Sequence, residues 1–192
     1  ALPICHGPGA DAAGTRAGRV ALVHNGIIEN HEELRRALQS RGYAFASQTD
    51  TEVVPVLLTD YLKQGLAPRE AVQKTLSRLH GAYALAMLFA DQPDVFYAAR
   101  LGPPLAVGYG EGENFIGSDA VALSGLTQKI SYLEDGDWVV LKPDSATIYD
   151  AQDRPANREV QTTSVSASLV DKGSHRHFMA KEIFEQPEVI GN

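Results

Sequence analysis

The sequence predicts an α+β fold of stacked layers, and three observations carry that expectation. Amphipathic helical stretches crowd the segment 30–81, short β-rich runs separated by turn residues fill 83–149, and one apolar run precedes both. In chain order, residues 1–17 (ALPICHGPGADAAGTRA) show neither periodicity and read as an irregular arm. Val20–Val23 reads as a short buried strand. A first helix starts near Asn30, an N-cap residue with Glu33 three positions on. It carries Leu34 and Leu38 on one face and stops at Gly42. Thr49-x-x-Glu52 reads as a capping box that opens a second helix through Val53, Val56, Leu57 and Tyr61, ending by Gly65. A third runs from Pro68 through Val72, Leu76 and Leu79 to Gly81.

The rhythm then changes. Tyr83–Phe89, Val95–Arg100, Leu105–Tyr109 and Asn114–Ile116 are strand candidates, and Asp119–Leu126 is a short helix capped by Ser118-Asp119. Lys129–Leu133, Trp138–Lys142 and Ala146–Tyr149 resume strands, the last two joined by Pro143-Asp144-Ser145. Trp138, leading the Val139-Val140 strand, reads as core. From Ala151 to Ser174 the chain is polar and reads as an extended surface segment, and Phe178–Val189 returns to a helical or turn-like pattern.

Bulk properties bound the function. With 44% hydrophobic and 21% charged residues over 192 positions, the chain is one ordinary globular domain. No apolar stretch reaches the length of a membrane span and no leader pattern is visible, so the expected setting is soluble and cytoplasmic. A formal charge of −7 argues against nucleic acid, whose binding rests on clustered Lys and Arg. A single cysteine excludes an internal disulfide and any Cys-rich zinc site.

The most informative stretch is His24-Asn25-Gly26-Ile27-Ile28-Glu29-Asn30-His31, followed by Thr49-Asp50-Thr51-Glu52. An Asn-Gly pair permits a turn that most residues resist. Such a turn aims a backbone N–H and a carboxamide NH₂ at one point, the two donors that a tetrahedral oxyanion needs in amide hydrolysis. The plain alternative is a hairpin turn, but a helix follows the pair where a hairpin needs a second strand.

HNGIIENHEELR, TDTEV, RLHGAYALA, FIGSDAVAL and HFMAKEIFEQP, in that order, resemble the glutaminase domains of the glucosamine-6-phosphate synthase family. The resemblance runs from about Gly18 to the C-terminus. It implies the four-layer α-β-β-α sandwich of N-terminal-nucleophile hydrolases, here incomplete at the N-terminus. Residues 18–176 then form a partial glutaminase domain, and 177–192 begin the linker to an absent isomerase domain. The resemblance further implies that Asn25 (side-chain amide) and Gly26 (backbone N–H) form the oxyanion hole and that Asp50 binds the α-ammonium of L-glutamine. Asp50 falls within the first turn of the expected second helix, whose N-terminus favours its ionised form. Helix-end electrostatics is the alternative role for that carboxylate. The implied parent activity transfers glutamine nitrogen to fructose 6-phosphate, giving glucosamine 6-phosphate and glutamate, with no metal or organic cofactor. The implied partners are the isomerase domain and a homodimer mate.

The departures from the family pattern matter as much. The family nucleophile is an N-terminal cysteine whose α-amino group acts as base, and a terminal amine titrates near pKa 8. This chain opens with Ala1, and the family's arginine–tryptophan–alanine–threonine–histidine–glycine stretch is missing. It therefore reads as a domain with its first third cut away, without a nucleophile, poorly stable and inactive alone. Residues 1–17 are either divergent or the product of a shifted reading of the coding sequence.

Three rivals follow: a non-catalytic glutamine-binding module, the glutaminase of another class II amidotransferase, and a hydrolase using Cys5, which otherwise reads as a loop thiol. The remaining motifs take plain readings. His175-x-His177 lacks supporting ligands for a metal. Gly108-x-Gly110-x-Gly112 is a glycine-rich turn, and Arg100-x-Gly102-x-Pro104 shapes another. His24 reads as a packed structural residue, and Lys181–Pro187 as the segment leading toward the isomerase half.

Overall fold

In the computed structural model, residues 4–5, 20–163 and 183–184 are described. The elements in order are β1 (Ile4–Cys5), β2 (Val20–Ile28), α1 (His31–Gln39), α2 (Val53–Lys63), α3 (Pro68–Leu76), β3 (Gly81–Phe89) and β4 (Gln92–Leu101). Then come β5 (Ala106–Tyr109), β6 (Asn114–Gly117), α4 (Ala120–Leu123), β7 (Lys129–Tyr132), β8 (Trp138–Lys142), β9 (Ser145–Tyr149) and β10 (Gln161–Thr162). One sheet has the order β1-β2-β3-β4-β8-β9 and the other β10-β7-β5-β6. All recorded pairings are antiparallel.

Period-two alternation sorts the first sheet's side chains onto two faces. Val20, Leu22, Leu85, Met87, Phe89, Tyr97 and Trp138 pack against Leu34, Leu57, Val72 and their neighbours from α1–α3. Ala84, Ala98, Val139 and Leu141 point the other way, onto Leu105, Val107 and Leu133 of the second sheet and its approaches. On the far side of that second sheet, Ala106 and Ile130 are covered by Ala120 and Leu123. The layers therefore run α-β-β-α, as expected, with the fourth layer reduced to the single turn of α4.

Several elements match their sequence signals. Gly42 and Gly65, at φ +89° and +91°, end α1 and α2 in left-handed backbone, and Pro68 opens α3. The Asp119 carboxylate accepts from the Ala122 N–H at 2.8 Å and caps α4. Trp138 is buried and stacks on Tyr149 with ring centroids 4.7 Å apart. Gly110–Glu113 turn between β5 and β6, closed by the Gly110 N–H on the Glu113 carbonyl.

Other expectations are corrected. The Asn25-Gly26 pair makes no turn: β2 runs extended through it to Ile28 and pairs with β3 along its whole length, Asn25 opposite Ala84 and Gly26 opposite Tyr83. Thr49-x-x-Glu52 is not a capping box. The Glu52 carboxylate folds back to accept from the N–H groups of Ala46 and Ser47, each at 2.7 Å. Asp50 consequently precedes α2 and does not sit in its first turn. The Asn30 side chain makes no cap contact; it bridges to the Arg78 carbonyl and the His80 N–H across the α3–β3 connection. Helix α3 ends at Leu76, and Gly81 begins a strand. Within the irregular arm, Ile4–Cys5 form a short strand on Leu22 and Ala21. The polar segment expected to be extended from Ala151 opens instead with a turn at Ala151–Asp153, with Asp153 at φ +61°; beyond it Arg158 forks onto buried Asp137 and β10 pairs with β7.

Leu57 is fully buried in the helix-side core, whereas Leu126 is 60% exposed. Leu57→Ala is expected to cost about 2–5 kcal/mol and Leu126→Ala less than about 0.5 kcal/mol, as read from urea unfolding midpoints.

Candidate active site

The site forms where β2 runs beyond its partner β1. From Val23 onward, β2 has no partner strand on its outer edge among the described residues. At the end of the β2–β3 ladder the Glu29 N–H donates to the His80 carbonyl at 2.8 Å. Antiparallel strands alternate in two-residue steps, so the N–H groups of Gly26 and Ile28 are turned away from β3, toward the open edge. The Ile28 N–H meets the Asp50 carboxylate there at 2.7 Å. The Ile28 carbonyl is held by His31, whose Nδ1–H donates to it at 2.8 Å.

Glycine is required at two points of this pairing. Gly26 lies at φ +128°, and a Cβ there would overlap the Ala82 carbonyl oxygen. Gly81, opposite Ile28, lies at φ +120°, and a Cβ there would overlap the Ile27 carbonyl. Both positions combine forbidden φ with close backbone approach.

Asn25 and Val23 share the face of β2 that looks toward the second sheet. With Phe96, Leu105, Phe115 and Leu141 they line a cleft of about 530 Å³ between the sheets. The cleft is mostly apolar, and Asn25, Asn114 and Ser118 supply its polar side chains. Ile27, on the same face, is 64% exposed.

His24 points to the opposite face. Its Nδ1 lies 2.8 Å from the Thr51 hydroxyl, which in turn reaches the Asp50 carboxylate at 3.4 Å. Burial holds the His24 imidazole below its ordinary pKa, partly offset by the charge of Asp50. Its Nε2 is buried without a hydrogen-bond partner in the described structure. The packed structural role expected of His24 therefore coexists with contact to the Asp50 turn.

Thus the structure brings Gly26, Asn25 and Asp50 to one stretch of strand: Gly26 and Asp50 to its open edge, Asn25 to the cleft beneath. Not legible in the sequence are the groups that hold this stretch, the Ile28 N–H and His31, and those that hold the loop before Asp50: Arg35, which donates to the Ser47 and Thr49 carbonyls, and the carboxylate of Glu52. Their signal is weak, because a strand amide and a folded-back carboxylate leave no periodic mark. Cys5 pairs with Ala21 through the backbone; its side chain, His175, His177 and most of Lys181–Pro187 lie outside the described residues. Ile183 and Phe184, from that last segment, are helical and exposed. Among the described residues, no cluster of three or more His, Cys, Asp or Glu is placed to hold a metal, and no helix is long and apolar enough to cross a membrane.

Residues 9–125 match the family model described as a glutamine amidotransferase domain, and the chain belongs to that family. The match begins within residues 1–17, which show no periodicity of their own. Among individual proteins, the chain is 57% identical over 174 residues to a glutamine–fructose-6-phosphate aminotransferase (isomerizing) of Zymomonas mobilis, covering 91% of this chain and 29% of that protein. It is 56% identical, with the same coverage, to the enzyme of that name from Bradyrhizobium diazoefficiens. The chain thus spans under a third of the length of these relatives. In three dimensions it resembles the glutamine phosphoribosylpyrophosphate amidotransferase of B. subtilis, with a TM-score of 0.60 and 23% identity over 78% of this chain and 31% of that one. A second neighbour, an allosteric regulatory enzyme of purine biosynthesis, has a TM-score of 0.56 and 26% identity over 68% of this chain and 28% of that one. The layer order and these neighbours define the fold as that of the N-terminal-nucleophile amidotransferases.

Two predictions follow from the site geometry. Gly26→Ala is expected to destabilise the chain by at least about 1–3 kcal/mol, measured by urea denaturation, because neither its φ nor its neighbours accept a Cβ. The lowered His24 pKa means that the unfolded chain takes up a proton that the folded chain refuses. This contribution to stability is present above the unfolded value of 6.5 and is lost as pH falls from there through the lower folded pKa. His24→Asn should therefore flatten the stability profile just below pH 6.5, measured as unfolding midpoints across pH.

Proposed function

We propose that this chain is the glutamine-handling part of a glutamine–fructose-6-phosphate aminotransferase. In that reading, Asn25 and Gly26 supply the oxyanion hole and Asp50 receives the α-ammonium of L-glutamine. The observation that carries it is the convergence of the Gly26 N–H and the Asp50 carboxylate on one open strand edge, with the Asn25 carboxamide in the cleft beneath. The chemistry suits the assignment. A backbone N–H and a carboxamide, both fixed by a strand, need little reorganisation to meet a developing oxyanion. A carboxylate already oriented by one amide keeps lone pairs free for an ammonium. The identity of 57% and 56% to the fructose-6-phosphate enzymes, against 26% to a purine enzyme, supports the first substrate over other amidotransferase chemistries.

The whole enzyme would release ammonia from glutamine and deliver it to fructose 6-phosphate through an isomerase domain, working in the cytoplasm as a homodimer. Within these 192 residues the one thiol is Cys5, whose nitrogen is an amide and no general base. The chain by itself is therefore expected to bind glutamine without turning it over.

Calorimetric titration with L-glutamine tests the binding role. Asp50→Ala should weaken affinity roughly tenfold or more, since a charge-assisted hydrogen bond contributes about 1.5–3 kcal/mol. Equal affinity of the two proteins would remove Asp50 from the site. In a parallel glutamate assay neither the chain nor Cys5→Ala should release product; activity confined to the unmutated chain would make Cys5 a nucleophile.

A further inference from the structure

Two buried charges outside the proposed substrate contacts are directed at one short loop. Arg35, on α1, is 7% exposed, and Glu52, at the head of α2, is 2% exposed. Placing charges in the interior carries a desolvation cost, so such groups are expected where their geometry is put to use. Both bond the segment 46–49. Arg35 donates from its two terminal nitrogens to the Ser47 carbonyl at 2.8 Å and the Thr49 carbonyl at 2.7 Å. Its guanidinium also lies over the Phe45 ring, 4.4 Å from the centroid. Glu52 accepts from the Ala46 and Ser47 N–H groups, each at 2.7 Å, and from the Ser47 hydroxyl at 2.6 Å.

This loop contributes little to the core. Ala44, Ala46, Gln48 and Thr49 are exposed, and Phe45 is only partly buried. Its next residue is Asp50, which it delivers to the Ile28 N–H at the open edge of β2. An apolar pair at 35 and 52 would fill the same space without gripping backbone donors and acceptors together.

We infer that Arg35 and Glu52 are positioning residues, which clamp the 46–49 backbone from opposite electrical signs so that the Asp50 carboxylate is held at the edge of β2 before any ligand arrives. This rests on the reading of Asp50 as the ammonium acceptor and deepens it: recognition of the substrate's amine is preorganised by a frame two residues removed from contact. Arg35 fits its place because a planar fork spans two carbonyls, which a lysine ammonium does not. Glu52 fits because both of its oxygens accept, whereas a glutamine amide would keep one acceptor and set its NH₂ against one of the Ala46 and Ser47 N–H groups.

The Ile28 amide reports the position of Asp50 without any ligand, because Asp50 is its hydrogen-bond partner on an edge that has no partner strand among the described residues. Amide hydrogen exchange of the ¹⁵N-labelled chain is compared with that of Asp50→Ala, Arg35→Lys and Glu52→Gln, using the Leu85 amide in the core strand as reference. Arg35→Lys and Glu52→Gln should speed Ile28 exchange about tenfold or more, toward the Asp50→Ala value, with Leu85 changed by less than about twofold. Parental protection of Ile28 in both variants, with Asp50→Ala exposing it, would overturn the inference. So would a uniform rise at Ile28 and Leu85, the mark of a merely structural role, or unchanged Ile28 exchange in Asp50→Ala. The glutamine titration decides the ammonium reading separately: if glutamine fails to bind while the amide pattern holds, the clamp stands and the reading of Asp50 falls.

Discussion

The arrangement depends on the unbroken pairing of β2 with β3 through Asn25-Gly26. A turn at that dipeptide would end the strand at Val23 and separate the groups that the extended path gathers. Extension is possible because Gly26 and Gly81 adopt backbone closed to other residues and let the two strands approach at their ends. With β2 straight, its alternation does the rest. Asn25 goes to the cleft, His24 to the helix layer, and the Gly26 and Ile28 N–H groups to the edge away from β3.

Around this strand the layers divide the labour. The helix-side core buries Leu22 and Ile28 at its two ends and makes β2 rigid against α1 and α2. Those helices present Arg35 and Glu52 to the loop before Asp50. On the other face the second sheet stops short of β2, leaving Val23 and Ile27 uncovered and the cleft open on the side of Asn25. Polar groups brought together at the rim of an apolar cleft make a setting in which hydrogen bonds and charges act more strongly than in water.

Much of this was legible in the sequence. Helices α1, α2 and α3 follow their apolar spacing, and the glycines after α1 and α2 sit in the left-handed backbone that their positions suggested. The strands of 83–149 lie close to their β-rich runs, and of the residues singled out for chemistry Asn25 and Gly26 lie on β2 while Asp50, in the loop before α2, bonds that strand's Ile28 N–H. What the sequence hid has a common cause. Asn-Gly looked like a turn because its local preference is for turns, yet nine residues of pairing with β3 override that preference. Glu52 looked like a capping residue because Thr and Glu stand three apart, but buried backbone donors at Ala46 and Ser47 claim its carboxylate. In both cases a long-range or folded-back contact outweighed a local signal, and neither contact has a period that a sequence displays.

The central claim is that one open strand edge, with the cleft beneath it, receives glutamine. Its most direct test is a ¹H–¹⁵N correlation spectrum of the labelled chain titrated with L-glutamine. The account predicts that the Gly26 and Ile28 backbone amides and the Asn25 side-chain amide shift together, along one saturating curve. Saturable shifts confined to residues elsewhere, or no shifts at these three groups, would contradict it.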